Sequence, residues 1–133
     1  VVYLKLYGIA FGVFLVIDLI WLGVIARNLY RQELGFIMSP KPNWLAAILF
    51  YIIFIMGLVF FVIHPAVEKS SLLSALFSGL LFGLVTYSTY DLTNLATLAD
   101  WPLKITIIDM IWGTSLGGSV SVITSWIYMA WVK

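Results

Sequence analysis

The sequence predicts an all-α membrane protein, a four-transmembrane-helix bundle with short loops and an amphipathic extension after helix 1. Three observations predict it. Hydrophobic residues make up 63% of the chain and charged residues 10%, with a mean hydropathy of +1.10, whereas a water-soluble domain carries roughly 25% charged residues. Four apolar runs each approach the ~20 residues that cross the hydrocarbon core as a helix. Polar or proline-containing breakers separate them. The 133 residues read as a single four-helix transmembrane domain with spans at about 1–26, 44–63, 72–94 and 103–131.

The first span begins with one basic residue, Lys5, and carries Asp18 inside it. Both features, and the lack of an Ala-x-Ala-like exit, separate it from a signal peptide. Gly8-x-x-x-Gly12 gives it a small-residue face for close helix approach. Arg27 to Leu34 continues it as a helix out of the membrane, with Arg27 and Arg31 on one face and Tyr30 and Leu34 on another. Gly35 is the expected stop in a left-handed cap. Ser39-Pro40-Lys41-Pro42-Asn43 breaks the chain, and Asn43 is positioned to cap the next helix.

Trp44 to Ile63 has no charged residue and reads as a wall of the bundle, with the Trp44 indole at the headgroup level. His64 to Ser71 is the expected loop, with His64 a solvated interfacial residue. In the third span, Ala75, Gly79 and Gly83 recur every four residues as a second close-packing face. Tyr87, Asp91 and Asn94 then share one helix face, with Tyr90 on an adjacent one. Asp100 is the expected N-cap of the fourth span, before Pro102 in its first turn. Asp109 and Trp112 lie early in that span, and Gly113, Gly117 and Gly118 make it rich in small residues.

The net charge is +1, and no basic run or stripe is present, so nucleic-acid binding is not expected. With no cysteine and a single histidine, disulfides, thiolate chemistry and multi-histidine metal sites are excluded. Four spans place Lys5, Lys69 and Lys133 on one side and Arg27, Arg31, Lys41 and Lys104 on the other. A difference of one does not fix orientation, but the clustering of Arg27, Arg31 and Lys41 favours cytoplasmic first and third loops.

Asp18, Asp91 and Asp109 are the informative residues, because carboxylates inside a membrane are costly and need partners. Asp18 lies nine residues before Arg27, roughly 13 Å along a helix, and Asp109 lies about 7 to 8 Å beyond Lys104. Asp91 sits at the matching end of the third span. The three converge if spans one, three and four are neighbours. Asp18 and Asp109 each precede a tryptophan by three residues, Trp21 and Trp112, which puts an indole on each aspartate's face.

Two readings follow. In the first, the carboxylates are buried and paired with Tyr87, Tyr90, Asn94, Thr93, an indole N–H or Lys104, and hold the bundle in register. In the second, Asp18, Trp21, Tyr87, Tyr90, Asp91, Asn94, Asp109 and Trp112 line a polar pocket open to the first and third loops. Such a pocket would bind a small cationic or polar ligand, a proton or a lipid headgroup. Transport through so few helices would call for a homodimer formed through glycine-rich faces. Carboxylate oxygens suit Mg²⁺ or Ca²⁺, but the paired Asp-x-x-Asp spacing of membrane prenyl or phosphatidyl transferases is absent, so no metal or other cofactor is expected. No nucleophile–base arrangement is visible. A lipid-modifying enzyme, or its accessory subunit, is the alternative, with Asp91 or Asp109 as general acid or base.

Several blocks resemble a known family. They are Asp18-Leu-Ile-Trp-Leu-Gly23, Tyr30 to Gly35, Asn43-Trp44 with Phe50-Tyr51, Thr89-Tyr-Asp-Leu-Thr-Asn-Leu-Ala-Thr97, Asp100-Trp-Pro-Leu-Lys104 and Asp109-Met-Ile-Trp-Gly113. Nearly the whole chain is similar to domain of unknown function 2177, a family of small predicted bacterial inner-membrane proteins. The resemblance implies a multi-pass protein of the bacterial inner (cytoplasmic) membrane. It implies no substrate and no catalytic residue.

Overall fold

A computed structural model describes residues 1–133. It contains four long helices, apolar enough to cross a membrane: α1 (Val2–Ile25), α3 (Trp44–Glu68), α4 (Leu72–Thr97) and α5 (Leu103–Val132). A short α2 (Arg27–Leu34) lies between the first two. The chain is an integral membrane protein.

The α1 stripe Leu6, Ala10, Phe14 and Asp18 recurs every four residues and is buried throughout, so Asp18 occupies the next position of the packing face. That face meets Phe54, Leu58 and Val62 of α3 and Leu116 and Val120 of α5 in one apolar core. The α5 helix is the central stave. Half of its most apolar window is buried by protein, against 17% in α1 and in α4.

The α4–α5 contact is built from facing glycines. A Cβ at Gly83 would meet the Gly113 carbonyl oxygen, and one at Gly117 would meet the Gly79 carbonyl oxygen. The predicted Ala75, Gly79, Gly83 face is therefore used within the chain. The Gly8 and Gly12 face is not, since a Cβ at either position meets nothing within 4 Å.

Asn43 caps α3 as expected, its Oδ1 accepting the Ala46 N–H at 3.1 Å. Three other local expectations are corrected. His64 to Ser71 is not a loop, because the helix continues through His64–Glu68. A proline ring clashes with the carbonyl four residues back, here that of Phe61. The helix accommodates Pro65 by widening to π geometry over Val59–Ile63, where the His64 N–H bonds to the Val59 carbonyl. His64 then stacks on Tyr3 with ring centroids 4.1 Å apart and pairs with Glu68 at 3.1 Å, and so is not simply solvated. Asp100 is not an N-cap: it takes a left-handed turn conformation (φ 62°), and Pro102 occupies the cap position. Gly35 follows α2 in right-handed geometry (φ −54°), so the left-handed stop is not formed.

The expected amphipathic extension forms as α2 at its predicted bounds, Arg27–Leu34. The end of α1 widens to π geometry over Trp21–Ile25, and Ala26 leaves helical geometry with φ −102° and ψ −2°. After that break α2 lies where the Tyr30 hydroxyl reaches Asp109 Oδ1. It packs against α5, which turns Tyr30 and Leu34 onto the aspartates.

Candidate functional site

Three helices each deliver one carboxylate to the same end of the bundle. Asp18 closes the buried stripe of α1, Asp91 lies one turn beyond Tyr87 on the inner face of α4, and Asp109 sits one turn before Gly113 on α5. Their exposures are 7%, 1% and 8%. Asp109 is the hub, sharing the lining of one cavity with Asp91 and of another with Asp18.

The surroundings of the three differ. Asp109 Oδ1 accepts the Tyr30 hydroxyl at 2.7 Å, and that hydroxyl accepts the Trp21 indole N–H at 3.1 Å. Burial first, and the neighbouring Asp109 carboxylate second, push the Tyr30 hydroxyl well above its ordinary value. It therefore stays a proton donor throughout the physiological range. Asp18 lies beside Tyr51 and Trp112. Trp21 and Trp112 stack on each other, centroids 4.4 Å apart and 5° from parallel, so the two Asp–Trp pairs interlock across α1 and α5. Asp91 is different, because no N–H or hydroxyl donor reaches either of its carboxylate oxygens and the polar group that faces it is the Asp109 carboxyl.

No lysine or arginine compensates these charges. Lys104 pairs with Glu33 at 3.6 Å, so it is not the aspartate partner that its spacing suggested.

Asp109 lines three cavities. One of about 470 Å³ is bounded by Phe50, Thr86, Tyr87, Tyr90 and Asp109. A second, about 300 Å³, includes Asp91, Asp109, Tyr30, Tyr90, Trp101 and Leu34. A third, about 220 Å³, joins Asp18, Trp21, Tyr51, Tyr87, Asp109 and Trp112. Of the eight candidate ligand-binding residues, seven line these cavities. Asn94 is half-buried and lines none of them.

Four aromatic lining residues escaped sequence reasoning: Tyr30, Phe50, Tyr51 and Trp101. Tyr30 carried a signal, since it shares the apolar face of α2 with Leu34, but the direction of that face depends on the break at Ala26. Trp101 is held by its indole N–H, donated to Thr106 Oγ1 at 3.0 Å, and stands edge-on to Tyr90 with centroids 5.8 Å apart.

The Tyr30 clasp makes one prediction. Tyr30→Phe removes both hydrogen bonds and is expected to cost about 1–2 kcal/mol. Thermal unfolding in detergent measures the loss, and unchanged stability would show that α2 is held by its apolar face alone.

The family model described as "Predicted membrane protein (DUF2177)" matches residues 3–126. No curated protein and no solved structure matches the chain.

Proposed function

We propose a binding function for this chain, which belongs to the DUF2177 family of predicted membrane proteins. The carboxylate-lined pocket takes up a small cationic or polar ligand, a proton or a lipid headgroup, from the side of the first and third loops. The observation that carries this reading is Asp91, which is 1% exposed, receives no N–H or hydroxyl donor on either oxygen and faces a second carboxyl group. A clasp that only holds helices in register satisfies its polar atoms, as Tyr30 does for Asp109. Two adjacent carboxylates without a counter-charge call for a proton or a cation between them.

The setting is the bacterial inner membrane, with the four spans acting as one domain. Gly8 and Gly12 are exposed and unobstructed, which supports their face as the place where a second copy would dock if the protein transports its ligand. The glycines of α4 and α5 are already committed to each other.

Single Asp18→Asn, Asp91→Asn and Asp109→Asn variants test the reading. Reconstituted in liposomes, they are assayed for proton flux with a trapped pH dye and for uptake of sodium and methylammonium. Asp91→Asn is expected to have the largest effect, about tenfold or more on binding or flux. Wild-type behaviour in all three folded variants would overturn the proposal.

A further inference from the structure

The geometry points to an organic ammonium group, primary or quaternary, as the cation that this pocket recognises. The inference rests on the binding reading above and names its ligand class. The three carboxylates are not grouped around one point, as a shared metal ion would require. Divalent cations with hard-ligand preferences take six or more oxygens, and no group of three carboxylate or imidazole side chains is placed to hold one ion.

What surrounds the carboxylates instead is aromatic. Phe50, Tyr87 and Tyr90 form most of the wall of the 470 Å³ cavity, with Asp109 as its charged group. Tyr90 also borders the adjoining cavity, where Trp101 and the unpartnered Asp91 stand. Aromatic faces attract a cation through the ring quadrupole, and several of them around one site recognise alkylammonium groups, whose charge is spread over an apolar surface. A carboxylate within the same wall supplies the full counter-charge. A bare proton would need no such volume.

Phe50 and Tyr90, two of the lining residues, are exposed, so the cavity reaches the protein surface. An ammonium can enter either as a soluble amine or as the headgroup of a lipid. The recognition chemistry is the same for both sources.

The test uses the purified full chain in phosphatidylglycerol nanodiscs. It is titrated calorimetrically with tetramethylammonium, methylammonium and sodium chlorides at matched ionic strength. At least one ammonium salt is expected to bind about tenfold tighter than sodium, with the heat lost in Asp109→Asn, whose carboxylate lines the aromatic cavity, and reduced in Asp91→Asn, which borders the adjoining one. Tyr90→Leu is expected to weaken ammonium binding about fivefold, whereas Tyr90→Phe retains it. Phe50→Leu, at an exposed position, gives a second reading of the aromatic wall that does not depend on how Tyr90→Leu folds.

Sodium binding as tight as either ammonium, still dependent on Asp91, would overturn the ammonium inference and leave the pocket reading standing. So would ammonium binding indifferent to Phe50 and Tyr90. No heat from any salt that depends on Asp91 or Asp109 would overturn the ammonium inference, and wild-type proton flux in all three aspartate variants would overturn the pocket reading with it. The source is resolved by doping the discs with phosphatidylethanolamine or phosphatidylcholine and recording native mass spectra. An Asp91-dependent lipid adduct assigns the headgroup, and ammonium binding without an adduct assigns a soluble amine.

Discussion

The Gly83→Leu substitution is expected to separate α4 from α5 and to cost about 3 kcal/mol or more. The reason is the nature of the obstructing atom. A Cβ at Gly83 lands on the Gly113 carbonyl oxygen and close to the backbone of Thr114, and neither can rotate away as a side chain would. Gly117 and Gly79 repeat the arrangement one turn along, so relieving the clash means moving the two helices apart over several turns. Asp91 and Asp109 sit on those same helices, and the movement would open the site. The expected readouts are loss of the monodisperse peak in detergent and a lower unfolding temperature. Gly8→Leu, on the unobstructed face of α1, is the control and is expected to change monomer stability by less than about 0.5 kcal/mol. Equal tolerance of both substitutions would show that the α4–α5 contact is not the tight one.

These two glycine faces also show what a sequence can and cannot state. Gly8 and Gly12 have the same four-residue spacing as Gly79 and Gly83, yet only the second pair meets another helix of the chain. Spacing defines a face on which close approach is permitted, and the partner is decided by how all the helices pack. The aspartates were more legible. Each interrupts an apolar run, and counting residues from the loops placed them at overlapping depth, so their burial at one end of the bundle could be anticipated.

Tyr30 could not be anticipated in the same way. Its bond to Asp109 joins residues 79 apart in sequence, and it depends on a π-turn and a break at Ala26 for which the local sequence gives only Gly23 as a hint. Pro65 illustrates the opposite error. A proline beside polar residues resembles a loop, but a one-residue widening of the helix absorbs it. Asp100 has a good capping side chain, yet a left-handed backbone at that position removes it from the cap. Residue type expresses a local preference, and these three positions follow the tertiary packing instead.

Asp91→Leu is expected to make the protein more stable and to abolish ligand binding. A buried polar group without a partner loses its hydration and gains nothing in return, a deficit of about 1–3 kcal/mol, larger where the group is charged and faces a second carboxylate. Both Asp91 oxygens are in that condition. Leucine has the same branched outline with bulkier methyl groups, for which the adjoining cavity offers space, and apolar replacement of buried charge is often neutral or stabilising. Removing Asp91 also relieves Asp109, whose bond to Tyr30 remains. The unfolding temperature is therefore expected to rise by several degrees, while Asp91-dependent uptake disappears. A carboxylate serving only to hold the bundle would behave in the opposite way, and a fall in stability on Asp91→Leu would identify it as a structural clasp. The sign of this one change thus separates the two roles, whatever the ligand is.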